Sequence, residues 1–143
     1  MNLTRRLDIE QQLLRKHFGP TFRFQGKPGQ DDWGAIGRLR TNSANEYVVF
    51  VELQGFPDSP PAAWVVDPIL SRPSGQHLPA GSHSMHTRGV TDHGHVEVCH
   101  YADCNWEPSV TLYKVVLKVR IWLEAYEAYL RTGKKIDQYL AAM

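Results

Sequence analysis

Cysteine is scarce in this chain: Cys99 and Cys104 are its only two among 143 residues, too few for the multi-bridge framework of a small secreted module. No basic-apolar-cleavage pattern opens the sequence, so a reducing cytoplasmic setting is the expectation. Nor does any apolar run approach the roughly 20 residues that a bilayer-spanning helix needs, which excludes membrane insertion by that route. Charge of one sign is missing too. Sixteen Lys and Arg stand against fifteen Asp and Glu, a net of +1, so there is no basic field to hold nucleic acid or an anionic surface. Low-complexity composition is absent as well, with eleven Gly and nine Pro. What is present is 42% hydrophobic residues, enough to bury one core, and residues 1–143 read as a single domain.

Along the chain, Thr4 suits the N-cap of an amphipathic helix reaching about His17, with Leu7, Leu13 and Leu14 inward and Arg5, Arg6 and Lys16 outward. Gly19-Pro20 stops it. Residues 21–26 alternate like a half-buried strand, Trp33 to Leu39 reads as a second, and Tyr47 to Leu53 has the highest β-branched and aromatic content. Short polar connections between them predict an antiparallel meander. Phe56-Pro57-Asp58-Ser59-Pro60-Pro61 then removes backbone donors and ends the ladder. A brief strand from Ala63 to Val66 follows, and Asp67 to about His95 reads as a long functional loop rich in Pro, Gly, Ser and His. Val96-Glu97-Val98 fits a short strand. From Ser109 to Leu130 apolar residues hold a helical period, with Pro108 in the first turn, Gly133 as the stop and Ile136 to Ala142 as a short second helix.

The reactive side chains crowd into one stretch: His77, His83, His86, Asp92, His93, His95, Cys99, His100, Asp103 and Cys104. Thiolate and imidazole are preferred zinc ligands, and His93-x-His95 with Cys99-x4-Cys104 supplies four, although the gap between the cysteines is wider than a zinc knuckle's. The other reading makes Cys99 a nucleophile, which needs access and neighbours that move a proton. His95, His100 and Asp103 are close to it in sequence.

The order of features around Cys99 resembles that of ubiquitin-conjugating enzymes, over about residues 1–131. In that family a strand runs into a tyrosine-proline-x-x-proline-proline segment, matched here by Phe56, Pro57, Pro60 and Pro61. The active cysteine lies on the following loop and is trailed by tryptophan-x-proline and a long helix, matched by Cys99, Trp106, Pro108 and the helix carrying Val115, Val116 and Leu117. The resemblance implies an α+β fold of the conjugating-enzyme kind: N-terminal helix, antiparallel meander, long active-site loop and long C-terminal helix. It implies acyl transfer, with Cys99 carrying a ubiquitin-like protein as a thioester and passing it to an amine of a protein target, without cofactor or metal. An activating enzyme is the implied donor, met through Arg5 and Arg6.

The departures are specific. No histidine-proline-asparagine triplet precedes Cys99, and His86 and His95 are the nearest stand-ins; His100 follows Cys99 where the family commonly has leucine, and the C-terminal helices are shortened. These features look more like the divergent bacterial conjugating-enzyme-like proteins. In that frame His95 or His100 assists proton transfer, and His86 or Asn105 supports the oxyanion with backbone donors. Two alternatives stand beside it: a noncatalytic protein of the same fold that binds a ubiquitin-like partner, and a zinc module built on Cys99, Cys104 and loop histidines.

Overall fold

The computed structural model describes residues 2–100 and 105–140 and is α+β. Helix α1 (Leu3–Phe18) is followed by strands β1 (Arg23–Gln25), β2 (Gly34–Arg40), β3 (Glu46–Glu52), β4 (Ala63–Asp67), β5 (Thr87–Val90) and β6 (Val96–Val98), then helices α2 (Leu112–Thr132) and α3 (Ile136–Leu140). All six strands join one antiparallel sheet of order β1-β2-β3-β4-β6-β5. The expected meander therefore holds through β4 and is then interrupted. Among the described residues no helix is long and apolar enough to cross a membrane.

Period-two alternation explains how the sheet makes a core. Ala35, Val51, Ala63 and Val98 lie side by side across β2, β3, β4 and β6, and Gly37, Val49, Val65 and Val96 form the next row. All eight are buried. The α2 stripe of Val115, Val116, Val119, Trp122, Leu123 and Tyr126 is buried in the same core. Trp122, Tyr126 and Tyr129 are thus core residues, with the first two rings stacked 5.6 Å apart. At Gly37 an added Cβ would lie 2.4 Å from the Phe22 ring, so the absence of a side chain there is what lets Phe22 be wholly buried.

Two buried carboxylates tie elements together. Glu10 of α1 accepts the Leu112 N–H at 2.8 Å, serving one of the four donors that a helix start leaves open. Burial pushes its carboxyl up, against the opposing pull of the Leu112 N–H and Arg6. Glu127 of α2 accepts from Tyr47 Oη at 2.7 Å, Thr41 Oγ1 at 2.8 Å and Asn45 Nδ2 at 3.0 Å, which fastens the β2–β3 hairpin to the helix. Burial is the largest single influence on Glu127 and pushes it up, but the hydrogen bonds together hold it below its ordinary value.

Several boundaries differ from expectation for local reasons. Helix α1 is capped by Asn2, whose side chain accepts the Arg5 N–H at 2.8 Å, so Thr4 lies inside it. Helix α2 begins after Pro108 and Ser109, because Thr111 caps it by accepting the Lys114 N–H at 3.1 Å. Its end is as expected, with Gly133 left-handed at φ 76°. The segment read as one loop from Asp67 to His95 contains β5, whose Thr-Arg-Gly-Val composition carries little strand signal and which is ordered by pairing with β6. Arg6 does not face outward: it donates to the Val110 carbonyl at 3.0 Å and lies 5.1 Å from the Phe56 ring centre. The last residues expected in α3, Ala141 and Ala142, lie outside the described residues.

Gly37→Ala should destabilise the fold by about 2 kcal/mol, the usual cost of overpacking a tight core, read as a lower urea midpoint. Glu127→Ala, which leaves the buried Tyr47 and Thr41 hydroxyls without their carboxylate acceptor, should cost about 3 kcal/mol; an unchanged midpoint would show that the hairpin does not depend on that carboxylate.

Candidate functional site

Cys99 follows the last residue of β6, where the chain leaves the sheet beside α2. It is half-buried and unbridged. Its backbone N–H donates to the His86 carbonyl at 2.8 Å, extending the β5–β6 pairing by one bond and bringing the two residues together. A cavity of about 190 Å³ opens there, lined by Cys99, His86, His100, Lys118, Ile121, Trp122 and Leu140. That volume is below the ~300 Å³ at which small-molecule pockets begin. It fits a side chain or the end of an extended peptide better than a cofactor.

The His86 side of the cavity is a tight turn. Ser82 accepts the Thr87 N–H at its carbonyl, 3.1 Å, and the Met85 N–H at its hydroxyl, 3.2 Å, while Thr87 Oγ1 donates to the Pro79 carbonyl at 2.7 Å. From α2, Trp122 Nε1 donates to the Met85 carbonyl at 2.9 Å. These bonds hold His86 at φ 52°, a left-handed conformation that costs a non-glycine residue about 1–2 kcal/mol and persists only where surroundings impose it. Helix α3 closes over the same turn: Asp137 donates its N–H to the Ser84 carbonyl at 2.9 Å, and its Oδ1 lies 2.7 Å from His86 Nε2. The His86 bond holds the half-exposed Asp137 carboxyl below its ordinary range.

The other side is organised by the proline step. With β4 beginning only at Ala63, its carbonyls turn to side-chain donors: Trp106 Nε1 donates to the Pro57 carbonyl at 2.8 Å, and His100 Nε2 to the Pro61 carbonyl at 2.6 Å. Phe56 packs edge-on to Trp106, with ring centres 6.3 Å apart. A carbonyl only accepts, so His100 carries its hydrogen on Nε2. Burial pushes its imidazole down, with Arg88 and Lys118 adding to that direction and the Pro61 bond opposing it. Lys118 Nζ also donates to the His100 carbonyl at 3.4 Å.

The fold thus gathers Cys99, His86 and His100 of the five residues singled out by sequence. His95 is elsewhere. It closes the β5–β6 turn, its carbonyl accepting from the Thr91 N–H at 2.9 Å and its own N–H bonding Thr91 Oγ1 at 3.0 Å; four extended residues separate it from Cys99 by roughly 13 Å of chain. Asn105 is exposed and not among the residues lining the cavity. Asp103 and Cys104 lie outside the described residues. Sequence reading missed Lys118, Ile121, Trp122, Leu140 and Asp137. The helical period of α2 marks Trp122 as core, but nothing local to residues 134–140 signals that α3 reaches His86.

The proposed zinc ligands do not converge among the described residues. No group of three or more His, Cys, Asp or Glu side chains is placed to hold a metal ion, and the His93 and His95 rings are 6.1 Å apart on the hairpin turn. No family model, curated protein or solved structure matches this chain.

His100 generates a pH prediction. Its folded value lies below the ordinary 6.5, so protonation favours the unfolded chain; the contribution is complete above about pH 6.5 and is lost as pH falls below it. Urea midpoints should therefore drop more between pH 7.5 and 5.5 for the natural protein than for His100→Gln, which keeps a donor for Pro61 but does not titrate. Equal drops would remove His100 from the acid response.

Proposed function

We propose that this protein is an acyl carrier of the ubiquitin-conjugating kind: Cys99 takes the C-terminal carboxyl of a ubiquitin-like protein from an activating enzyme's thioester and passes it to an amine of a protein target in a reducing, cytoplasmic setting. The observation that carries this reading is the clasp of the proline step. Pro57 and Pro61 accept from Trp106 and His100 at their carbonyls and Phe56 packs on Trp106, so features dispersed over fifty residues of sequence meet one another and the residue next to Cys99. Their order alone carries the resemblance to conjugating enzymes, and their mutual contacts give that order a structural purpose.

The site's chemistry suits thioester exchange. A new S–C bond forms at Cys99 as the donor's S–C bond breaks, and the Cys99 proton ends on the departing thiol. The two thioesters are of similar energy, so strong activation of the thiol is unnecessary. A half-buried sulfur at the end of a strand, beside a cavity sized for a chain terminus, meets the access requirement. Arg5 remains an exposed cation on α1 for an activating enzyme, whereas Arg6 is engaged with Val110, Glu10 and Phe56.

The test is loading of the full chain by a ubiquitin-like protein presented as its C-terminal small-molecule thioester, followed by intact mass. The natural protein should gain one acyl group at Cys99 that reductant removes. Cys99→Ser should give a reductant-resistant ester or no adduct, and normal reductant-sensitive loading by that variant would overturn the assignment. Alkylation by iodoacetamide, resolved by peptide mass spectrometry, should proceed at Cys99 faster than at Cys104 without chelator. Protection of both thiols until chelator is added would instead establish them as metal ligands.

A further inference from the structure

Helix α3, at the C-terminal end of the chain, adds a second chemical element to the cavity. Its Leu140 lines the wall beside Cys99, and its Asp137 grips the opposite turn twice, by its backbone N–H to the Ser84 carbonyl and by its carboxylate to His86 Nε2. Because a carboxylate only accepts, His86 carries its hydrogen on Nε2 and leaves Nδ1 as the ring's lone-pair nitrogen. A nucleophilic sulfur, an imidazole and a carboxylate thus come from three separate parts of the fold, a combination in which the base is oriented by a third group.

We propose that His86 is the base for Cys99 and that Asp137 is its positioning residue. This rests on the acyl-transfer reading above and names the groups that run it. The Cys99 S–H gives its proton to His86 Nδ1 as the sulfur attacks the incoming thioester carbonyl; when the donor's S–C bond breaks, the departing thiolate takes that proton back, and His86 returns to its starting form. Asp137 stays ionised throughout and stabilises the transient imidazolium.

His100 lines the same cavity and is the competing base, but its environment opposes the role. It is buried, its Nε2 is committed to the Pro61 carbonyl, and a positive charge on it would face Lys118 and Arg88. A positive charge on His86 faces a carboxylate at 2.7 Å instead. Among the described residues, the other titratable groups near His86 are His83, stacked on it at 5.7 Å, and His100 and Lys118, which line the same cavity. The left-handed backbone of His86 has a use in this arrangement, because it is maintained at the residue whose carbonyl receives the Cys99 N–H.

The test is the rate of Cys99 alkylation by iodoacetamide against pH in the full-length natural protein, Asp137→Asn, Asp137→Glu and His86→Gln, with Cys104 followed separately and thermal unfolding measured alongside. For Asp137→Asn the Cys99 rate at pH 7 should fall about tenfold and the acidic limb of its profile should shift, because the carboxylate that orients the imidazole and faces its charge at 2.7 Å is gone. Asp137→Glu should restore part of the rate, and His86→Gln should abolish the limb. Unshifted limbs in both Asp137→Asn and His86→Gln would overturn the proposal. So would faster alkylation of Cys99 in Asp137→Asn at every pH, which would make Asp137 only a latch for α3. Thioester loading measured in parallel separates the two readings: shifted limbs without loading would remove acyl transfer and keep the His86–Asp137 role, whereas loading with unshifted limbs would remove that role alone.

Discussion

The constraint on which the site depends is the interruption of the sheet's hydrogen-bonding ladder by the proline step. Between β3 and β4 the chain carries Pro57, Pro60 and Pro61, which donate no N–H to a neighbouring strand. Carbonyls along this stretch are left for other donors, and a buried carbonyl must find one. Trp106 and His100 supply the donors for Pro57 and Pro61. His100, directly after Cys99, and Trp106 are thereby each anchored to the proline step by a side chain, and Cys99 itself follows the last residue of β6.

Around that segment the fold is held by polar groups placed inside an otherwise apolar core. Glu10 joins α1 to the start of α2, and Glu127 joins the far end of α2 to the β2–β3 hairpin. A buried carboxylate is costly without bonded partners, so the bonds that Glu10 Oε2 and Glu127 Oε2 accept restrict their elements to a narrow range of arrangements. Helix α2 is consequently immobilised near both ends while its centre presents Trp122 and Lys118 to the Cys99 cavity. Trp122 also grips the turn that carries His86 through the Met85 carbonyl, so the core and the cavity share one side chain.

Patterns with a physical period were readable residue by residue. The β-branched and aromatic content of Tyr47-Val48-Val49-Phe50-Val51 marks a strand, and the structure turns Val49 and Val51 inward, since successive strand side chains point to opposite faces. Likewise the 3.6-residue spacing of α2 identifies Val115, Val119, Trp122 and Tyr126 as core. Strand β5 was not readable, since Thr-Arg-Gly-Val is only four residues long, has no apolar-polar alternation, carries a glycine inside it and is ordered by its partner. The exposed appearance of Arg6 was misleading for a similar reason: its helix position gives the direction of the side chain but not the approach of Val110 and Phe56.

The candidate site divides along the same line. Sequence determined that the reactive groups lie in one polar stretch, that Cys99 follows a short strand, and that prolines and a tryptophan flank it, because composition and turn chemistry are local properties. Tertiary structure decided which histidines accompany the thiol. His95, four positions from Cys99, is carried away by the extended chain, whereas His86, thirteen positions away, returns to it through antiparallel pairing and a backbone bond. Asp137 is more distant still and reaches His86 only because α2 ends at Gly133 and α3 folds back onto the Ser84 turn. Sequence separation measures distance along the backbone, and only the pairing of strands and the packing of helices converts it into distance between side chains.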